Sequence, residues 1–98
     1  MLTIETGSNG EISFAGRLDA SQTDKARDFL DTVEDSAVLN FRDLEYISSA
    51  GLGVLLAAQK RLKESGKALK LTNVHGHIRD VFKIARFDVL FEIEQSQN

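Results

Sequence analysis

The chain has 98 residues, of which 42% are hydrophobic and 28% charged, a balance typical of one compact domain. Its net charge of −3 offers no concentrated basic face, so we expect no direct nucleic-acid partner. The absence of cysteine excludes disulfides, thiol catalysis and cysteine metal sites. The longest apolar stretch is about half a membrane span and no secretory signal is evident, which predicts a cytoplasmic single domain over residues 1–98 with no membrane partner.

The first two predicted elements are strands that form an N-terminal hairpin. Residues 2–6 alternate apolar and polar side chains with the period of two that a half-buried strand requires. Residues 7–10, Gly-Ser-Asn-Gly, are typical of a turn, and residues 11–15 alternate again. Residues 16–20 are predicted to be a loop, after which Ser21 marks the start of the first helix, since serine is a preferred N-cap.

Helices and strands then alternate to the end of the chain. Apolar residues recur at i, i+3, i+4 and i+7 in the first and third predicted helices, and in the second the row Leu52, Leu55 and Leu56 is completed by Gln59, so each helix has one mainly apolar face. The predicted elements are a helix ending near 34–36, a strand at 37–41, a helix from Ala50 to about Gly66, a strand at 68–71, a helix at 77–86 and a strand at 89–93. The order β-β-α-β-α-β-α-β predicts an α/β fold, with helices packed on a mixed sheet that is mainly parallel and has its first strand antiparallel.

Two hydroxyls, Ser48 and Ser49, fall where the third strand gives way to the second helix. The residues around them are small, namely Ala50, Gly51 and Gly53. Either hydroxyl is expected to cap the helix by accepting a hydrogen bond from a free backbone N–H of the next turn. A phosphate at this position would meet unpaired N–H groups and the positive end of the helix dipole, so capping and phosphorylation are compatible.

Other kinds of chemistry find little support in the sequence. A serine nucleophile would have only His75 and His77 as bases, and the G-x-S-x-G elbow is missing. The same two histidines, with no committed carboxylate, make a weak metal site. Residues 51–53 form a bare G-x-G with no third glycine and no Walker lysine, which favours close helix-to-strand packing. We therefore predict no catalytic residue, metal or cofactor, and keep a small nucleotide-binding enzyme as an alternative of another class.

The junction resembles the anti-sigma-factor antagonists of the bacterial STAS-domain family. In that family an apolar strand and a short loop lead to Asp-Ser-Ser/Thr-Gly-Leu-Gly at a helix start, and residues 48–53 here are Ser-Ser-Ala-Gly-Leu-Gly. Residues 16–19, Gly-Arg-Leu-Asp, match the family's Gly-Glu-Leu-Asp loop, and residues 78–87 match its third-helix segment. The resemblance covers nearly the whole chain and implies a STAS-like fold.

The chain departs from the family pattern at three positions. Ser48 replaces the family's Asp, Ala50 replaces the second hydroxyl, and Arg17 replaces the usual Glu of the first loop. Carried over by position, the resemblance implies that Ser49 is the phosphoacceptor, with Asp19 beside it at the same sheet edge. The change before the acceptor leaves Ser48 as a rival.

The resemblance implies a partner-switching regulator rather than an enzyme. The unphosphorylated form would bind an anti-sigma factor that is also a serine kinase of the histidine-kinase-like ATPase type, and phosphorylation would release it. A metal-dependent serine phosphatase would reverse the modification. The alternative is a non-phosphorylated STAS subunit that docks on a transporter ATPase or another signalling protein. The residues expected to contact the partner are Asp19, Ser48, Ser49, Ala50, Gly51, Gly53, Val54, Ala57 and Arg61.

Overall fold

The computed structural model describes residues 1–94, so the end of the predicted domain, residues 95–98, lies outside the described residues. Strands and helices alternate along the described chain. Their bounds are β1 Leu2–Thr6, β2 Ile12–Leu18, α1 Thr23–Leu30, β3 Ala37–Ile47, α2 Ser49–Lys63, β4 Leu69–Thr72, α3 Gly76–Ile84, α4 Phe87–Leu90 and β5 Glu92–Glu94. None of the helices within residues 1–94 combines the length and the apolar character needed to cross a membrane.

The strands form one sheet in the order β1-β2-β3-β4-β5. β1 pairs antiparallel with β2, and every other neighbouring pair is parallel. The predicted α/β fold, with its mixed sheet and antiparallel first strand, is therefore confirmed. The free edge of β1 is covered at Leu2, whose N–H donates to Gln22 and whose carbonyl oxygen accepts from Lys25. Such contacts protect an edge strand from pairing with another chain.

The helices pack on one face of this sheet. Inward strand residues such as Leu2, Phe14, Phe41 and Leu71 are fully buried and belong to one core with the helices. The residues that alternate with them face the other side, because side chains along a strand point to opposite faces. Most of these outward residues are half-buried or exposed, among them Thr3, Glu5, Ser13, Val38, Asn40, Lys70, Glu92 and Glu94.

A row of phenylalanine rings joins the sheet to the last two helices. Successive ring centroids from Phe14 through Phe41, Phe82 and Phe87 to Phe91 are separated by 5.3, 5.7, 5.0 and 4.8 Å. The strand predicted at 89–93 is partly wrong for this reason. The ring centroids of Phe87 and Phe91 are only 4.8 Å apart, whereas residues four apart in a strand are separated by about 13 Å, so this part of the chain forms a helical turn and the strand is confined to Glu92–Glu94.

The predicted loop at 16–20 and the predicted helix start at Ser21 are also wrong. β2 continues to Leu18, and Gly16 lies within it at a φ of +94° next to a register shift. A Cβ on Gly16 would stand 2.2 Å from the carbonyl oxygen of Met1, so this strand position requires glycine. The first helical turn is a 3-10 turn at Ala20–Gln22, and its cap is the side chain of Asp19.

β3 is longer than the strand predicted at 37–41. It runs to Ile47, because its second half pairs with β2, from Ala15 opposite Asp43 to Leu18 opposite Ile47. β4 pairs only with the first half of β3. The end of β3 therefore extends past β4 and carries the start of α2 with it.

Candidate functional site

The candidate site lies where the carboxyl ends of β2 and β3 meet the first turn of α2. Leu18 and Ile47 are opposite one another at the end of the parallel pair. The N–H of Ser48 donates to the carbonyl oxygen of Leu18 at 3.0 Å, which fixes the start of α2 against the end of β2. The residue after Leu18 is Asp19, so the two segments that the sequence resemblance associates are adjacent here.

Ser48 is the N-cap of α2. Its backbone is extended, with φ −91° and ψ 169°, and its Oγ accepts a hydrogen bond from the N–H of Gly51 at 3.1 Å. Its carbonyl oxygen accepts from the N–H of Leu52 at 2.9 Å. This half-buried side chain therefore performs the capping role expected of one of the two serines.

Ser49 is the first helical residue, and its side chain is exposed beside exposed Ala50. No hydrogen bond from the Ser49 hydroxyl is found within residues 1–94. In the same part of the chain the N–H groups of Ser49 and Ala50 have no protein acceptor. A group attached to this hydroxyl would thus meet solvent and two free N–H donors at a helix N-terminus.

The two glycines after the serines have different surroundings. A Cβ on Gly51 would lie 2.8 Å from Leu18 Cγ and 3.0 Å from Ile47 Cγ1, so this position must be glycine for α2 to approach the strands. A Cβ on Gly53 would meet nothing within 4 Å, and the residue is exposed. Packing inside the domain therefore explains Gly51 and gives no reason for Gly53, where glycine weakens the helix.

Asp19 holds the opposite rim of the site. Its Oδ1 accepts hydrogen bonds from the hydroxyl of Ser21 at 2.7 Å and from the N–H of Ser21 at 3.1 Å. The Ser21 hydroxyl is the main cause that lowers the pKa of the Asp19 carboxyl below its ordinary value, with a smaller contribution from Arg17. The Arg17 guanidinium lies 3.9 Å from Asp19 Oδ2 and 4.4 Å above the Tyr46 ring. A carboxylate stays ionised on this rim at neutral pH.

The predicted contact residues further along α2 divide into exposed and internal ones. Ala57 is exposed, whereas Val54 is only 7% exposed. The Arg61 guanidinium donates to the carbonyl oxygens of Leu30 and Val33 at 2.9 and 2.8 Å, so it caps the end of α1. The sequence could not indicate this role, because both acceptors are about thirty residues away along the chain.

The two histidines follow β4 in sequence, and within residues 1–94 neither forms a hydrogen bond with Ser48 or Ser49. His75 Nε2 hydrogen-bonds to the carbonyl oxygen of Arg42 at 2.8 Å, and His77 is exposed on the first turn of α3. Within residues 1–94 there is no cluster of three or more His, Asp or Glu side chains that could bind a metal ion. The site is thus built from hydroxyls, a carboxylate and free helix N–H groups.

Comparison with known proteins finds a matching family model and a similar sequence. A family model described as "Mlab, STAS domain" matches residues 1–92. A protein of Bordetella bronchiseptica named as an anti-sigma factor antagonist, BtrV, is 37% identical over 78 residues, which are 80% of this chain. The match spans 61% of the length of that relative.

Solved structures with the same fold include SpoIIAA in two forms. Unphosphorylated SpoIIAA superposes with a TM-score of 0.71 at 18% identity, covering 99% of this chain and 90% of that one. Phosphorylated SpoIIAA from Bacillus gives 0.72 at 18% identity, covering 100% and 93%. These likenesses concern the fold, since the identities are low.

Proposed function

Because this chain belongs to the STAS-domain family, we propose that it is an anti-sigma factor antagonist that acts by partner switching. The unphosphorylated chain binds an anti-sigma factor that is also a serine kinase of the histidine-kinase-like ATPase type. Phosphorylation of Ser49 releases the chain, and a metal-dependent serine phosphatase restores it. The chain itself catalyses nothing in this scheme.

The observation that carries this proposal is that the hydroxyls of the two serines have different surroundings. The Ser48 hydroxyl is committed to the N–H of Gly51, whereas Ser49 is exposed with no hydrogen-bond partner in the described chain. A kinase needs a hydroxyl that it can reach, which favours Ser49. That SpoIIAA, a structure of the same fold, exists in phosphorylated and unphosphorylated forms agrees with such a switch.

The switch requires only a local change of charge. A phosphoserine adds about −1.5 to −2 charges at neutral pH. Weakening a complex from about micromolar to about millimolar requires about 4 kcal/mol. Burying a phosphate against an apolar or acidic partner surface supplies an energy of this order through desolvation and repulsion. The free N–H groups of Ser49 and Ala50 are available to the phosphate, so the domain should tolerate phosphorylation without unfolding.

The experiment that tests the acceptor uses the kinase found beside this gene or co-purified with the chain, together with ATP. Wild type and Ser48→Ala should each gain about 80 Da on the peptide that contains residues 48 and 49. Ser49→Ala should gain nothing. Modification of Ser49→Ala to the wild-type extent, or its loss in Ser48→Ala alone, overturns the assignment of Ser49.

A second candidate is a STAS subunit that is never phosphorylated and docks on a transporter ATPase or another signalling protein. The replacement of the family's Asp by Ser48 favours it, because the carboxylate that precedes the acceptor is absent. A pull-down with wild type and Ser49→Asp separates the two functions. Loss of the partner from Ser49→Asp supports the switch, whereas equal retention by both supports the constitutive subunit.

A further inference from the structure

A concave groove of about 550 Å³ lies between the second half of α2 and the short helix α4. We call it the α2–α4 groove, and its walls are Leu56, Lys60, Lys63 and Glu64 on α2 and Val89 and Leu90 on α4, with Gln59 between them. It lies on the exposed side of the helix that begins at the candidate phosphoacceptor. None of the residues predicted to contact the partner lies in the apolar wall of this groove.

The apolar wall is exposed because α4 is anchored from its other side. Phe87 and Phe91 are 3% and 4% exposed and hold α4 in the core through the phenylalanine row. The two aliphatic residues between them, Val89 and Leu90, are 73% and 40% exposed. Large aliphatic side chains presented side by side in a concavity are a common feature of protein-binding surfaces.

The floor of the groove is held in place before any partner arrives. Gln59 is only 4% exposed, and its Nε2 donates to the carbonyl oxygen of Leu90 at 2.9 Å. Its Oε1 accepts from the N–H of Leu69 at 2.8 Å. One side chain therefore ties α4 to both α2 and β4, so binding needs little reorganisation of the groove.

Positive charge flanks the apolar wall. Lys60 and Lys63 are exposed, and neither forms a salt bridge anywhere in residues 1–94. Glu64 is the single acidic residue among those that line the groove. An apolar wall flanked by two free lysines is complementary to a segment that has one apolar face and acidic residues beside it.

We propose that the α2–α4 groove binds an acidic amphipathic helix of the partner protein, as a contact that phosphorylation does not reach. The inference rests on the proposed function, because it gives the same partner a second point of attachment. Gly53, Ala57 and Lys60 lie at helical spacing along one exposed side of α2, so a partner seated at Ser49 continues into the groove. Helix-in-groove binding of this kind uses anchors at i, i+3, i+4 and i+7.

Two other occupants fit the groove less well. In an isologous contact with a second copy of the chain, two patches that each carry two lysines and one glutamate would face each other, so surfaces of the same net positive charge would meet. A flat membrane surface would not fill a concavity, so shape disfavours a lipid surface. The shape and the charge together favour an acidic helix.

The test titrates the isotopically labelled chain with two synthetic helical peptides of about 16 residues, or about four turns. They share one apolar face and carry glutamates or lysines beside it. The acidic peptide should shift the amide resonances of residues 56–64 and 89–90 and bind about tenfold more tightly than the basic one. In the acidic-peptide titration, Val89→Asp should abolish the shifts and Lys60→Glu should weaken binding about tenfold.

The controls separate this proposal from the phosphorylation switch. Ser49→Asp should bind the acidic peptide as tightly as wild type, even though it loses the whole partner. Glu5→Lys, on the uncovered face of the sheet, should also bind the peptide normally. Equal binding of both peptides, preference for anionic phospholipid vesicles, self-association at residues 89–90, or no shift in wild type overturns the groove proposal and leaves the switch at Ser49 standing.

Discussion

At the scale of single residues, the two glycines at the start of α2 differ in whether packing inside the domain requires them. Gly51 is enclosed by Leu18 and Ile47, and Gly53 is surrounded by open space. A helical glycine in open space lowers stability relative to alanine without any gain inside the domain. We therefore expect that the gain at Gly53 is the close approach of another protein.

Alanine substitutions at the two glycines should have opposite effects. Gly51→Ala should lower the free energy of unfolding by about 1–3 kcal/mol, because its Cβ overlaps buried atoms. Gly53→Ala should raise it by about 0.5–1 kcal/mol while weakening the partner complex. Urea denaturation and a binding titration measure the two quantities. A Gly53→Ala chain that binds as tightly as wild type would remove the interface argument at this position.

Gln59 ties α4 to α2 and β4 through two hydrogen bonds, so its loss should loosen α4. Gln59→Leu keeps a similar volume but leaves the N–H of Leu69 and the carbonyl oxygen of Leu90 without their partner. The bond to the N–H of Leu69 is buried, so leaving that donor without an acceptor should lower the free energy of unfolding by about 2 kcal/mol in urea denaturation. Lys63→Leu on the exposed side of the same helix is the matched control, and a cost for Gln59→Leu no larger than for the control would contradict the tether.

At the scale of elements, α2 depends on the Ser48 cap and tolerates change at Ser49. Ser48→Ala should lower the free energy of unfolding by about 1 kcal/mol, because the N–H of Gly51 loses its acceptor. Ser48→Asp should restore stability, since aspartate is an equally good cap and is the residue of the family pattern. Ser49→Ala should stay within about 0.5 kcal/mol of wild type in the same denaturation experiment. Equal losses for the two alanine variants would contradict the assigned roles.

Local sequence patterns predicted most of these elements, and tertiary contacts account for the exceptions. The hairpin and the helix start at the serines depend on turn and cap residues a few positions apart, which a sequence displays directly. The second half of β3 exists because β2 lies beside it, a pairing between residues about thirty apart. α4 exists because Phe87 and Phe91 both fit the core, which only the assembled phenylalanine row decides.

The sequence predicted the location of the candidate site better than the role of each residue within it. The run at 48–53 and its resemblance to a family pattern placed two hydroxyls at a helix start, where both are found. Which serine caps the helix depends on a backbone geometry that the sequence does not specify. The roles of Arg61 as a cap for α1 and of Asp19 as a cap for the 3-10 turn likewise depend on the positions of elements around them.

At the scale of the whole molecule, one sheet face carries the helices and the other stays polar, so the charged groups that affect stability are at the surface. The pKa of Asp19 is lowered mainly by the Ser21 hydroxyl, and that of Asp35 by the N–H of Ser36 and then by Lys67. The pKa of Lys70 is raised mainly by its hydrogen bond with Glu94. Each of these three groups therefore adds a small, pH-dependent contribution to stability.

The sign of each shift gives the direction of the pH dependence. A carboxyl with a lowered folded pKa contributes stability above its unfolded value of 3.8, and this is lost as the pH falls through the folded value. Lys70, with a raised pKa, contributes below its unfolded value of 10.5, and this is lost as the pH rises through the folded value. With these groups alone, the urea midpoint should be flat from about pH 5 to about pH 9 and fall on both sides.

The acid side of this profile should depend on Asp35. In Asp35→Asn the fall in urea midpoint between about pH 5 and about pH 2 should be shallower than in wild type, because one favourable carboxylate is already missing. The effect is small, since the carboxylate is exposed and its pairing with Lys67 at 3.3 Å is screened by water. Asp28→Asn is the control for removal of an exposed carboxylate, because that side chain forms no ion pair within residues 1–94. Equal slopes in wild type and Asp35→Asn would show that other carboxylates govern acid unfolding.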